Sequence, residues 1–557
     1  MPAPGPDYVH PELAQVAVRK EKDVFLNIVN NMIRKQEFPR EWKEANLLLI
    51  PKNKRPADNT ASYRPICLLN VFGKMAEALL EARLRDEIDE KGSLYEKQYG
   101  FRKGRTTVQA MEEVKEVVRR ATDKASQHKK VCALVTIDVE NAFNSARWAG
   151  IIAEMENRGI SRYLIETTKS YLSDRTVFIG RKGRKMNMTC GVPQGSIFRT
   201  YVPPSIVVIG YADDLALVGT ARNGEDLGRD INIAMVHVET WMAGKGLRIQ
   251  PKKTEVVILS GRRKLTELEI CVQGNTIKSK PFLKYLGIVF DKDMRLTEHV
   301  RQVTDRANQM ATQLARIMPN VGGPRASKRR VINSSITSVI LYAAPVWSEA
   351  LRFAKYRDLL LKTQRKMNLR ICAAYRTVST EAAQVIAGVI PIDLLAEERT
   401  SLHRNPETEK GSAREETLEN WQRRWDRLTG KALWTKTLIP NIRSWIGRKH
   451  GEVGFHLTQF LSGHGCFQTY LGRMKITDNS SCLSCGELDT PQHAIYECVR
   501  WEAARTTLRT RVGRDISPTN TTQIMLQDAG SWETVSDHII KIIKYRKEEE
   551  RRNRTVD

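Results

Sequence analysis

Two adjacent carboxylates, Asp213 and Asp214, sit in the run Ser205–Thr220, SIVVIGYADDLALVGT. Two full charges about 4 Å apart repel by roughly 4 kcal/mol at an effective dielectric near 20. A fold that keeps such a pair near its core needs a counter-charge, and hard carboxylate oxygens suit Mg²⁺. An isolated acidic pair is most often a solvated turn, so the pair means little until other residues join it. Asp138 ends the continuous apolar run Val131–Ile137, VCALVTI. An acid in that place often does no more than cap a following helix. If the fold brings it beside Asp213 and Asp214, the three can share a pair of cations. Two metals about 3.5–4 Å apart activate an attacking hydroxyl and stabilise a leaving pyrophosphate in an in-line displacement, the chemistry of nucleotidyl transfer.

A second constellation lies near the end of the chain. Cys482-x2-Cys485-x7-His493-x4-Cys498 gathers three of the nine cysteines with one histidine. Three thiolates and an imidazole complete a tetrahedral zinc site, and the short spacing fits a closed structural knuckle. The alternative is a reduced, metal-free turn. Arg500 and Trp501 just beyond offer charge and stacking to a nucleic acid.

The elements that must position the acids are legible as apolar runs. Val207–Ile209 and Leu215–Val218 flank Ala212, Asp213 and Asp214, which predicts a β-hairpin with the carboxylates at its tip. Val131–Ile137 predicts a central strand buried on both faces. Earlier, Val16–Lys35 predicts a helix, Asn46–Ile50 a buried strand and Gly73–Ile88 an amphipathic helix. Helices are also expected around Ile231–Gly244 and Ser327–Tyr342. From Val300 to Ile317 apolar residues recur every three or four positions, a well-formed stripe. Ser401–Asn420 is charged and poor in apolar residues, which predicts a linker.

Bulk composition narrows the partner. Ninety Lys and Arg against 64 acids leave a net charge of +26, with a pI near 9.7. That excess favours a polyanion, held through phosphate contacts and counterion release. No apolar run approaches the ~18 residues of a spanning helix, no signal-peptide pattern opens the chain, and nine scattered cysteines argue for a reducing compartment. The loop Gln98–Thr107 carries Arg102, Lys103 and Arg105 around two glycines and could meet phosphate, although such loops are often only solvated charge.

In chain order the motifs APGPD, SYRPICLLN, QYGFRKGRTT, IDVENAFNS, GVPQGS, YADDL, the GL…KKTE segment, KYLG, LYAAPVWSEAL and ICAAYRTVS, followed by the Cys/His cluster, cover nearly the whole sequence. This ordered set resembles the reverse transcriptases of non-LTR (LINE-like) insect retrotransposons, particularly the clade that inserts into ribosomal RNA genes. The resemblance implies an α/β right-hand polymerase with fingers, an α+β palm and a helical thumb, ending in a small zinc knuckle. It implies RNA-templated, DNA-primed addition of deoxynucleoside triphosphates, with two Mg²⁺ and a structural Zn²⁺.

Residue by residue, the resemblance makes Asp138 and Asp213 metal-bridging carboxylates with Asp214 beside them. Lys253, with neighbouring Lys252 as its rival, is similar to the proton donor to pyrophosphate. Lys52 and Arg64 become triphosphate contacts and Phe143 the gate against a ribose 2′-hydroxyl. Gln194 and Gly195 form the turn beneath the incoming base, and Tyr285, Leu286 and Gly287 the primer grip. The implied domains are truncated fingers and the start of the palm over 1–130, the palm over 131–295, the thumb over 296–400, a linker over 401–420 and a C-terminal region over 421–557 with its knuckle at 482–498.

Two departures from the family pattern set further expectations. Only 14 residues separate Ser196 from Tyr211, too few for the helix and strand the family carries there, which points to a deletion near 197–210. The family's endonuclease domain is missing ahead of APGPD, so a fragment of a longer element is expected. The rival to an active polymerase is therefore a catalytically silent, nucleic-acid-binding remnant. Action in the nucleus, without a membrane, is expected from where such elements work.

Overall fold

The computed structural model describes residues 4–51, 62–91, 94–122, 130–140, 145–180, 183–191, 202–259 and 265–554, without the side chains at positions 64, 553 and 554. The chain divides into two compact units. The first holds residues 1–287 and 292–294, and the second holds 288–291 and 295–557.

The first unit is built on two four-stranded sheets. One takes the strands β3 (Val131–Ile137), β6 (Ile206–Tyr211), β7 (Asp214–Ala221) and β8 (Glu255–Ile258) in the order β6-β7-β3-β8. All three neighbouring pairs run antiparallel. Side chains alternate across a strand, and both faces of β3 are apolar, so the sheet must be covered on both sides. Val131, Ala133, Val135 and Ile137 pack with Leu227, Ile231, Met235 and Val238 of the helix Gly224–Gly244. Asn223 caps that helix by accepting from the Asp226 N–H at 2.8 Å. The helix Thr107–Thr122 contacts the same sheet, burying Ala110, Met111, Val114 and Val118 at helical spacing. The expected central strand and hairpin are both present.

The other sheet takes β1 (Glu44–Pro51), β2 (Tyr63–Leu69), β4 (Thr176–Ile179) and β5 (Arg184–Asn187) in the order β2-β1-β4-β5. Here one expectation fails. The run Asn46–Ile50 is not buried: Leu48 and Leu49 are each 47% exposed and Ile50 40%. An apolar run records only that a segment avoids water somewhere, and this strand's far half carries no covering layer among the described residues. The helix expected over Val16–Lys35 is two helices, Pro11–Lys20 and Lys22–Lys35, with Glu21 outside helical geometry between them.

The second unit is helical. Thr297–Ala315 and Ala326–Ile340 form where the apolar stripes predict them. The segment 401–420 corrects the linker reading: Ile392–Arg404 and Lys410–Asp426 are helices. Ala413, Thr417, Trp421 and Trp425 recur every fourth residue and are all buried. One seated residue per turn holds this helix while the other positions stay polar, so its composition reads as linker and its geometry as core. Trp421 and Trp425 join Trp445, Phe460, Phe467 and Trp532 in one large core, so 296–400 and 421–557 lie in a single compact unit. Among the described residues no single helix is long and apolar enough to cross a membrane.

Candidate active site

Strand register brings the acids to one end of the sheet. β7 pairs antiparallel with β3, with Ile137 opposite Leu215, so the next residue of β3, Asp138, continues toward Asp214. β6 pairs with β7 through Tyr211 and Asp214, which leaves Ala212 and Asp213 as a two-residue turn. Ala212 takes the left-handed conformation (φ 59°), strained for a residue with a Cβ. On its other side Asp138 is anchored by its carbonyl, which accepts from the Gln250 N–H at 2.9 Å.

The three carboxylates feel one another. Asp214 is desolvated by the protein around it, although its outer edge stays open to solvent, and the charges of Asp213 and then Asp138 add to this; its carboxyl is pushed up to about 6. Lys253 supplies the counter-charge, its Nζ donating to Asp138 Oδ2 at 2.6 Å. It stands at the end of the short helical turn Pro251–Lys253. Of the two candidate lysines, Lys253 is the one that reaches an acid; Lys252 makes no ion pair among the described residues.

The hairpin tip is braced by a feature that the motif reading passed over. Gln98 lies beside Gly210 as a short parallel extension of β6, with Tyr99 N–H donating to Gly210 O at 2.8 Å and Gly210 N–H to Lys97 O at 3.0 Å. A Cβ on Gly100 would fall 2.1 Å from the backbone nitrogen of Ala212, and one on Gly210 would fall 2.1 Å from Gln98 Oε1. Gly100 is required by this approach of backbone to backbone, whereas the neighbour at Gly210 is the end of a side chain. Glycine inside an otherwise β-branched strand was the available signal. The loop is tied down by Tyr99 Oη donating to Glu113 at 3.2 Å and by an ion pair between Lys97 and Glu113. Arg105 lies over the Tyr99 ring at 5.5 Å.

Tyr285, in the strand Phe282–Tyr285, is buried and electrostatically coupled to Asp214 and Tyr99; burial drives its hydroxyl far above the usual tyrosine range. Leu286 and Gly287 turn the chain with positive φ of 46° and 92°. Lys52, Phe143, Gln194, Gly195 and the side chain of Arg64 lie outside the described residues, as does part of the expected deletion at 197–210.

The C-terminal cluster is more compact than the acidic site. One ligand atom from each of Cys482, Cys485, His493 and Cys498 lies within 4.8 Å of every other, and among the described residues this is the one group of such side chains gathered so closely. Asp138, Asp213 and Asp214 do not close to that spacing. Cys482 and Cys498 place their sulfurs 3.9 Å apart, and Cys485 Sγ lies 3.2 Å from His493 Nε2. Zn–S bonds of about 2.3 Å set tetrahedral sulfurs about 3.8 Å apart, so the donor set fits zinc. Gly486 (φ 80°) makes the tight turn after the first two cysteines. Arg500 is already engaged within the chain: it donates to Ser484 Oγ at 2.8 Å and to Glu549 at 3.3 Å, and it stacks on Tyr545.

Residues 50–290 match the family described as reverse transcriptase (RNA-dependent DNA polymerase). Over 540 residues the chain is 28% identical to the 115 kDa protein in type-1 retrotransposable element R1DM of Drosophila melanogaster, covering 89% of this chain and 51% of that one. It is 26% identical over 546 residues to the Pol polyprotein from type-1 retrotransposable element R1 of Bradysia coprophila, covering 90% and 53%. A third relative, the RNA-directed DNA polymerase from transposon BS of D. melanogaster, is 28% identical over 375 residues, 62% of this chain and 40% of that one. The chain thus spans about half the length, or less, of these relatives. Among solved structures, a telomerase from Candida albicans aligns at 11% identity over 75% of this chain and 68% of that one, with a TM-score of 0.34.

Proposed function

We infer that this chain is a reverse transcriptase of the kind found in non-LTR insect retrotransposons, supported by its relatives, and that it extends a DNA primer on an RNA template by two-metal nucleotidyl transfer. The observation that carries the reading is the register of β3 against the β6–β7 hairpin, which sets one acid across from an acidic doublet with a lysine as counter-ion.

Asp138 and Asp213, with Asp214 beside them, would hold the paired Mg²⁺ ions. Bound there, these cations would activate the primer 3′-hydroxyl and stabilise the leaving pyrophosphate. Lys253 would give a proton to that pyrophosphate, leaving Asp138 once a cation replaces it as counter-charge. Tyr285, Leu286 and Gly287 would steady the primer end. Lys52 and Arg64 would bind the triphosphate, Phe143 would crowd a ribose 2′-hydroxyl, and Gln194 with Gly195 would lie beneath the incoming base. The helical second unit would act as thumb, its Cys482, Cys485, His493 and Cys498 holding a structural Zn²⁺. The nucleus would be the place of action.

The short Ser196–Tyr211 connection favours a second reading, a remnant that binds nucleic acid without chemistry. Primer extension on an RNA template with Mg²⁺ and deoxynucleotides separates the two. The active reading expects extension by the native chain and a loss of about a hundred- to a thousandfold in Asp213→Ala, the scale of removing a group that stabilises transition-state charge, with template affinity unchanged. Equal binding by both proteins and extension by neither would establish the remnant instead.

A further inference from the structure

We propose that Arg546, on the C-terminal helix Ala529–Arg554, is a positioning residue of the Cys482–Cys485–His493–Cys498 site, so that metal loading and docking of that helix are one coupled event. The proposal rests on the zinc reading above and adds to it a residue 48 positions beyond the last ligand.

Three thiolates around a divalent cation leave one net negative charge, and three of the four ligands are buried. A charge held away from water needs a partner, and Arg546 is the cation that the fold sends there. Its side chain is only 10% exposed and pairs with Asp489, which is fully buried. Its guanidinium also donates to Cys466 O at 3.3 Å and lies 5.8 Å from the Phe467 ring.

Asp489 is itself part of the knuckle frame. It falls between Cys485 and His493, its N–H donates to Ser480 O at 2.9 Å, and its carboxylate accepts from the Gln468 N–H at 2.7 Å. A second clasp joins the same two elements. Arg500, two residues past Cys498, bridges Ser484 in the knuckle to Tyr545 and Glu549 on the helix. Residues 545, 546 and 549 therefore grip the metal loop from one stretch of helix. If the metal orders the loop, it presents both clasps at once, and the helix in return steadies the ligands. Such coupling is reciprocal by thermodynamic necessity.

The test uses the full chain and zinc alone. Zinc affinity is measured by chelator competition, and amide hydrogen exchange over 541–552 is followed with and without the metal. In the native chain zinc should slow exchange over that stretch. Arg546→Met should weaken zinc binding by about 10–100-fold, as loss of an outer-sphere partner does, and should leave exchange of the helix insensitive to the metal. The double variant Asp489→Asn with Arg546→Met removes both buried charges and so controls for a lone uncompensated aspartate. The proposal expects it to remain at least tenfold weak for zinc, because the thiolates still lack their counter-charge. Native affinity in the double variant would show the pair to be structural only and would overturn the proposal while leaving the zinc reading standing. Failure of the native chain to bind zinc would end both together.

Discussion

Gly100 shows how little tolerance the acidic turn has. Its α-hydrogen faces the Ala212 nitrogen at a distance where a methyl would overlap backbone, and backbone cannot rotate aside as a flexible side chain can. Gly100→Ala should therefore lower the melting temperature by several degrees and depress primer extension, because the turn that carries Asp213 must shift. Gly150, in the helix Trp148–Asn157, has open space where its Cβ would stand. Gly150→Ala should raise stability by roughly 0.5–1 kcal/mol through lost freedom of the unfolded chain. Thermal melts of the two variants in parallel check both signs. The acids themselves were legible from residue types alone, but the close approach that braces them was not. Gly100 and Gln98 are more than a hundred residues from the hairpin they touch, and sequence spacing carries no sign of such contact.

At the scale of elements, the pattern that revealed β3 and the hairpin concealed the helix Lys410–Asp426. A strand buried on both faces is apolar throughout, whereas this helix is seated by one residue per turn. Trp425 Nε1 donates to Ile439 O at 2.9 Å, so Trp425→Ala removes both a buried ring and a bond, and a loss of about 3–5 kcal/mol is expected. A flexible linker with this many lysines and arginines would be cut by trypsin within minutes. Limited proteolysis of the native chain should leave 401–420 intact, and Trp425→Ala should open it.

The C-terminal helix carries a pH response of its own. Burial first, then the charges of Arg505 and Lys541, pull His538 down to about 4. A histidine with a depressed native pKa binds fewer protons folded than unfolded, so its contribution to stability is complete above its ordinary value near 6.5. It is lost as pH falls toward 4. Melting temperature should decline across that window, and His538→Gln should flatten this part of the decline.

The whole molecule is organised by charge as well as by core. A net charge of +26 makes polyanion binding sensitive to salt, because each phosphate contact releases counterions. If 6–10 phosphates are engaged, affinity for a primer–template should fall by about 10³–10⁵ between 50 and 200 mM salt. Asp213→Ala should follow the same slope, since it alters chemistry and not the phosphate track. Fluorescence anisotropy at several salt concentrations measures this directly. Each unit has its own apolar packing, the first in one cluster on the β6-β7-β3-β8 sheet and another among its helices, the second in a tryptophan-rich helical cluster.

Asp138, Asp213, Asp214 and the Cys–Cys–His–Cys spacing were fixed as candidates by the sequence itself, for a local reason. Ligand chemistry depends on residue type, and short spacings survive folding unchanged. Tertiary structure alone decided that Lys253 rather than Lys252 reaches Asp138, that Gly100 abuts Ala212, and that Arg546 meets Asp489 beside the Cys/His cluster. Each of those contacts joins residues brought together by sheet register or helix docking. Register and docking are set by the packing of the whole core, which no short window of sequence contains.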